Sequence, residues 1–370
     1  MSRFATVFLL ASSAFIALCG AAAEAKIPSI NCKSKPGELQ AAINKAEFLN
    51  VTTVIVSGTC IENLTIPRGK TFVLIGTLGS TKIVAKDASL PVASSHGDTT
   101  IQNITLQNAT GTADSLVQAG RGGALQLIGV YLSAPKVAAV VSIWDNANGS
   151  IVNSRIGGGA GVGADIANGG SLWLGADPAQ ISGRDGAKTT VTGGLSCGPG
   201  SRLLLRVKSA KGKDGVMSIT TGPNSLAAIG ANQCDVNIQN RTPSASNLTI
   251  SSSNGPGVSL NNSTLQLEAA TLTNNKEAGL DAIASSAMIS GSNFTDNSGG
   301  DLKAGPGSSL ILPGWSAKNN IPSAFSSNTL QCWPEKSSGQ IFVGKGGIVI
   351  PAGKTFMNLL ESNDPCVNPM

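Results

Sequence analysis

Aromatic side chains are nearly missing from this chain, with one tyrosine, four tryptophans and nine phenylalanines making up 4% of 370 residues. A core of any size must therefore be built from aliphatic side chains, and platforms on which a long saccharide could stack are few. Histidine occurs once, at His96, and no C-x-x-C spacing exists, which excludes the common histidine and cysteine ligand sets for a metal. Charged residues are only 13% of the chain and the net charge is +5, a mild basic bias far from a nucleic-acid-binding composition. After the N-terminal region no segment is apolar enough to span a membrane.

What is abundant is glycine, 45 residues, together with Ser, Thr and Asn, against an even spread of Leu, Ile and Val that brings the hydrophobic fraction to 41%. That balance predicts a folded, turn-rich β protein rather than a disordered one. At the N-terminus, Arg3 leads into FATVFLLASSAFIALCG, and Ala23-Glu24-Ala25 supplies a small-x-small cleavage site. Residues 1–25 thus read as a signal peptide, and 26–370 as a single exported domain, secreted, periplasmic or on the cell surface. Leu18 before Cys19 is bulkier than a bacterial lipid-attachment pattern accepts. The leader carries one basic and one acidic residue, so its removal leaves the net charge unchanged. Six cysteines remain and fall into three sequential pairs, which predicts Cys32 with Cys60, Cys197 with Cys234, and Cys332 with Cys366.

The fold is announced by a repeat. TLTNNKEAGL at 271–280 returns as NFTDNSGGDL at 293–302, an offset of 22. Extending that offset aligns Ile250, Leu272 and Phe294 in one apolar column, Val258, Leu280 and Leu302 in a second, and Leu267, Ile289 and Ile311 in a third. Asn275, Asn297 and Asn319 form a polar column, with Ser253 one period earlier. A period this short suits one coil of a β-solenoid, whose like residues stack at the ~4.8 Å spacing of neighbouring strands. Asn at a tight turn tolerates a left-handed backbone and can bond to its stacked neighbour. The L-x-x-L-x-L framework of leucine-rich repeats is absent.

Upstream, apolar starts at ALQLIGVYL (124), SIVNSRI (150), SLWLG (171), SRLLLRV (201) and SLAAIG (225) place the coils at looser intervals of 26, 21, 30 and 24. Extra residues must leave as loops at a corner, so loops are expected from the coil beginning at 171 and from its successor. At the front, KPGELQAAINKAEFL puts Leu39, Ala42, Ile43 and Ala46 on one helical face after Pro36, a short cap for the first coil within 26–60. At the back, IVIPAGKTFMNLL falls in a closing segment, 321–370. Both GKT stretches lack the glycine of a phosphate loop.

The helix, the TVIVSG and TIPRGKTFVLIG strands and the 22-residue coils together resemble the right-handed parallel β-helix proteins of the pectate lyase-like superfamily, over most of the chain. The resemblance implies an all-β solenoid and, among its enzymes, acidic polysaccharide substrates. Its polygalacturonase patterns are not met: Ser95-His96-Gly97 lacks the first glycine, Arg155-Ile156 is followed by Gly157, and no aspartate pair precedes His96, which reads as a turn residue. Arg241-Thr242-Pro243 begins the lyase pattern, but Ser246 replaces its second arginine. Trp144-Asp145-Asn146 matches the tryptophan segment only in part. Calcium is implied solely under a lyase alternative, with Arg241 as base; otherwise no cofactor is expected.

Asp281 with Lys303, and Asp296 with Lys318, share columns and are expected to be stacked surface ion pairs. The segment SRLLLRVKSAKGKD gathers Arg202, Arg206, Lys208, Lys211 and Lys213 beside the longest coil. With Trp144 and Trp173 as stacking surfaces, these are the candidate residues for an acidic glycan. Ten N-x-S/T sequons, including Asn63, Asn103, Asn247 and Asn293, add surface acceptors where glycosylation is available. The sequence points to a non-catalytic glycan-binding or surface protein, with a polysaccharide lyase or epimerase as the alternative.

Overall fold

The computed structural model describes residues 28–312, apart from 33–36, 46–50, 78, 159 and 181–185, and the backbone of five further strands, the last of them Val367–Pro369. The chain forms a parallel β-solenoid in which each coil contributes one strand to each of three sheets. Among the described residues these hold 14, 12 and 11 strands and are here called the first, second and third sheets, in the order in which a coil visits them. Burial alternates along the strands, as in Thr71–Gly76 and Arg202–Val207, so every second side chain enters one continuous aliphatic core. Fold class and period follow from the same fact: with scarce aromatics, a narrow core lined by stacked Leu, Ile and Val is the geometry that buries them fully.

The predicted columns are partners in the sheets. Ile250 pairs with Leu272 and Leu272 with Phe294 in the second sheet; Val258, Leu280 and Leu302 follow one another in the third. The third column needs a correction. Leu267 pairs with Ile289, but Ile311 pairs with Met288 and is half-buried, while Leu312 next to it is buried. One extra residue in the turn around Gly305 to Ser308 advances the register to 23, and a one-residue shift exchanges inward and outward faces.

The upstream intervals also change. Ala124 pairs with Asn148, Asn148 with Ser171, Ser171 with Arg202 and Arg202 with Asp235, giving offsets of 24, 23, 31 and 33. The strand Ile229–Asn232 of the SLAAIG segment lies in the third sheet, not beneath SRLLLRV. An apolar start looks alike on all three faces, and sequence spacing alone does not say which face it begins.

Asn275 and Asn297 stack inside a turn, with Asn275 Nδ2 donating to Asn297 Oδ1 at 2.6 Å. The left-handed backbone falls one residue earlier, at Asn274 (φ 54°) and Asp296 (φ 56°). Asn319 and Lys318 lie outside the described residues.

The helix Glu38–Lys45 buries Leu39 and Ile43 over the first coil. Its ends are held from the coils by opposite charges. The buried carboxylate of Glu62 accepts from the backbone N–H groups of Gly37, Leu39 and Gln40, and Lys70 Nζ donates to the carbonyls of Ile43 and Asn44. Both choices match the helix dipole and satisfy groups the helix cannot pair itself. The disulfides Cys32–Cys60 and Cys197–Cys234 are formed. Cys366 and the side chain of Cys332 lie outside the described residues, as do residues 1–27, where the leader is expected, and most of 321–370. No helix among the described residues is long and apolar enough to cross a membrane.

Candidate functional site

Three successive coils swell at one corner, where the chain leaves the first sheet for the second. The excursions are residues 177–187, 208–215 and 241–247. The middle one is a two-stranded hairpin, Ser209–Ala210 against Lys213–Asp214, turned by Lys211 (φ 52°) and Gly212 (φ 72°). Positive φ at both central residues is the turn that suits strand twist, and Gly212 meets it without strain. The hairpin is rooted where Gly215 N–H donates to the Lys208 carbonyl. The chain lengths expected after the coils beginning at 171 and 201 are therefore met, and the hairpin walls one edge of the first sheet.

On the outer face beside that wall, register brings together side chains far apart in sequence. Trp173 stands opposite Leu204, Gly175 opposite Arg206, and Arg206 opposite Gln239. The Trp173 indole leans over Gly175, reaching within 3.0 Å of the place a Cβ would occupy, and Lys208 Nζ sits 5.9 Å from the centre of the ring. Lys208 also donates to Asp177 Oδ2 at 2.7 Å. Asp177 is 3% exposed, and its other oxygen accepts from the Ala179 N–H, so the base of the first loop is latched to the root of the hairpin. Arg206 donates from Nε and Nη2 to Gln239 Oε1. Arg241 Nη1 lies 2.8 Å from Glu268 Oε1.

Among the sequence candidates, Trp173, Arg206 and Lys208 share this face. Arg202 is on the same strand but at its opposite end, 3.3 Å from Asp235 at an exposed ion pair. There it rims an open pocket of about 540 Å³ lined by Asn148, Ser171, Asp235, Asn262 and Thr264 among others. Lys211 and Lys213 stand exposed on the hairpin. Trp144 is separated from the group: it follows Ala139–Ile143 of the third sheet, and its ring packs where a side chain at Gly120 would be. Asp177 and Gln239 escaped sequence reading. One is an isolated acid after SLWLGA and the other an uncharged residue, and neither carries a motif.

The residues from family patterns have structural placements. His96 follows the strand Ala93–Ser95 as a turn residue, with Nδ1 buried. Arg155 lies 5.3 Å over the Tyr131 ring of the preceding coil. Arg241 follows the strand Asp235–Asn240 and is paired with Glu268. The carboxylates Asp177, Asp235 and Glu268 of this face each face a cation, and no group of three or more His, Cys, Asp or Glu side chains that could hold a metal ion gathers among the described residues. They do not fit a calcium site.

Asp281 and Lys303 are paired neighbours in the third sheet, as their shared column predicted. Burial raises the Asp281 pKa above its ordinary 3.8, and the positive charge of Lys303 opposes that shift.

Stacked parallel coils in three sheets, with a helix over the front end, define a parallel β-helix. The family model described as right handed beta helix region matches residues 234–341. Two solved structures are similar at 13% identity each. The A-module of a mannuronan C-5 epimerase from Azotobacter vinelandii covers 92% of this chain and 99% of its own, with a TM-score of 0.44. An alginate lyase from a Paenibacillus species covers 87% and 99%, with a TM-score of 0.33. No curated protein matches the chain.

Proposed function

We propose that this is an exported β-helix protein that holds an acidic polysaccharide along the loop-walled edge of the first sheet, by binding and not by chemical transformation. The observation that carries this reading is the meeting of Trp173, Lys208 and Arg206 on one face, an aromatic surface flanked by cations. Sugar rings offer apolar C–H faces to an indole, and uronate carboxylates offer charge to Arg and Lys. Asp177 and Glu268 on the same face are each paired with a cation, which draws them away from general acid–base work.

The test is titration of the mature protein with polygalacturonate, alginate and a neutral glucan, read by calorimetry, with ultraviolet absorbance followed in parallel for unsaturated product. Binding of the acidic polymers that weakens with salt, without new absorbance, is expected, and Trp173→Ala lowers it about tenfold or more on the ~1–3 kcal/mol scale of aromatic stacking. Appearance of unsaturated product replaces this reading with the lyase alternative. Conversion of one uronate into another, seen by NMR, replaces it with the epimerase.

A further inference from the structure

On the outer face between Arg202 and Arg241, three cations have a carboxylate partner: Arg202 with Asp235, Lys208 with Asp177, and Arg241 with Glu268. Arg206 is built differently. Among the described residues its side-chain partner is Gln239, whose Oε1 accepts from Nε at 3.3 Å and from Nη2 at 2.9 Å. Gln239 is 9% exposed and locked in the sheet opposite Arg206. Glutamate would have the same shape and offer a stronger bond to a guanidinium, yet the position holds a neutral amide. On the other side Arg206 faces Gly175, which brings no side chain to compete. The ring that leans over that glycine is Trp173.

We propose that Arg206 is the receptor for a single carboxylate of the bound glycan and that Gln239 is its positioning residue, aiming the guanidinium without neutralising it. This deepens the acidic-glycan reading and rests on it. A guanidinium has five N–H groups in a rigid plane. Gln239 engages the edge formed by Nε and Nη2, which leaves the end formed by Nη1 and Nη2 for a planar, bidentate carboxylate. A half-buried cation held only by an amide destabilises the empty protein, because its desolvation is not offset by an opposite charge. The ligand then supplies the missing charge. Affinity and stability are thereby set against each other at one residue, and an acid in place of Gln239 shifts both in opposite directions.

The experiment compares wild type, Gln239→Glu and Gln239→Met as full mature chains, each titrated with a defined oligogalacturonide, a neutral maltooligosaccharide and a sulfated dextran fragment, with thermal melts beside the titrations. Wild type is expected to prefer the oligogalacturonide over both other probes. Gln239→Glu should bind it roughly tenfold or more weakly, with a shallower salt dependence and a melting temperature equal to or above wild type, because the guanidinium is already paired. Gln239→Met keeps the charge and loses the aim, so it should fall by a few-fold only and keep the wild-type salt dependence.

If Gln239→Glu binds within about twofold of a wild type that does bind, the inference fails and the acidic-glycan reading survives. If wild type takes up no acidic oligosaccharide, both fail. Preference for the sulfated fragment overturns the assignment of a carboxylate, and a destabilised Gln239→Glu overturns the view that Arg206 lacks a counter-charge.

Discussion

From Thr264 through Ser286 to Ser309 the first sheet advances by offsets of 22 and 23, whereas from Ser171 through Arg202 to Asp235 it advances by 31 and 33. The inward residues of the two regions are nonetheless of one kind: Leu265, Leu267 and Ile289 in the former, Leu172, Leu203 and Leu205 in the latter, all buried. Most of the additional residues leave at the corner between the first and second sheets, and a smaller share at 221–228 before the third. A solenoid keeps strand and core fixed because each coil must match its neighbours, and it releases variation only where the chain turns. Long-range polar contacts follow the same division. In the regular coils, partners are like residues one period apart, such as Asn275 with Asn297. In the swollen coils, unlike residues meet, such as Lys208 with Asp177 and Trp173. Regular coils repeat a structural solution; swollen ones assemble a surface.

The strongest way to break this comparison is to strike the core of a regular coil. Phe294→Ala, which empties a fully buried position between Leu272 and the next coil, should lose about 3–5 kcal/mol in urea unfolding while leaving glycan affinity per folded molecule unchanged. Next, Asn297→Ala removes the acceptor of Asn275 Nδ2 and the donor to the Leu272 carbonyl and to Asp301. Orphaning those buried groups should cost about 1–3 kcal/mol, again with binding intact.

A milder stability effect is expected from joining Lys208 to Gly215 through an Asn-Gly turn in place of residues 209–214. Shortening a loop changes closure entropy by well under about 1 kcal/mol, yet this variant should lose affinity, because Lys211 and Lys213 go with the hairpin. Loss of both properties in equal measure would erase the distinction between the two regions.

The smallest effect is electrostatic and lies in a regular coil. Because burial raises the Asp281 pKa in the folded state, the folded chain holds this proton to higher pH than the unfolded one. The contribution of the group is fully present below pH 3.8 and drains away as pH rises through the folded value. Asp281→Asn should therefore gain stability on wild type as pH climbs through that window and match it at the acidic end, measured by thermal melts across pH.

Much of the fold was legible because stacked coils print their period into the sequence, and the columns of Leu272 and Leu280 were found from spacing alone. Ile311 was misplaced because one added residue beside Gly305 reverses the faces, and a single insertion leaves no compositional trace. SLAAIG was assigned to the wrong face because Ile229 follows a glycine-rich turn just as the starts on the first sheet do. At the candidate site the basic segment was visible as charge, but its organisation was not. Lys208 meets Asp177 across 31 residues, and that separation equals a local coil length which only the fold defines. Gln239 stayed hidden for a chemical reason: its contribution lies in a charge it does not carry.

The Cys197–Cys234 disulfide can be viewed as a mechanical part. Hydrogen bonds between coils point along the solenoid axis, so a pull on the two ends loads them directly and invites the stack to part between neighbouring turns. Cys197 pairs in the sheet with Ala231, three residues before Cys234, so the covalent bond crosses from one turn to the next. It does so within the stretch where loops are longest. Under tension along the axis, it acts as a rivet through the seam between these two turns.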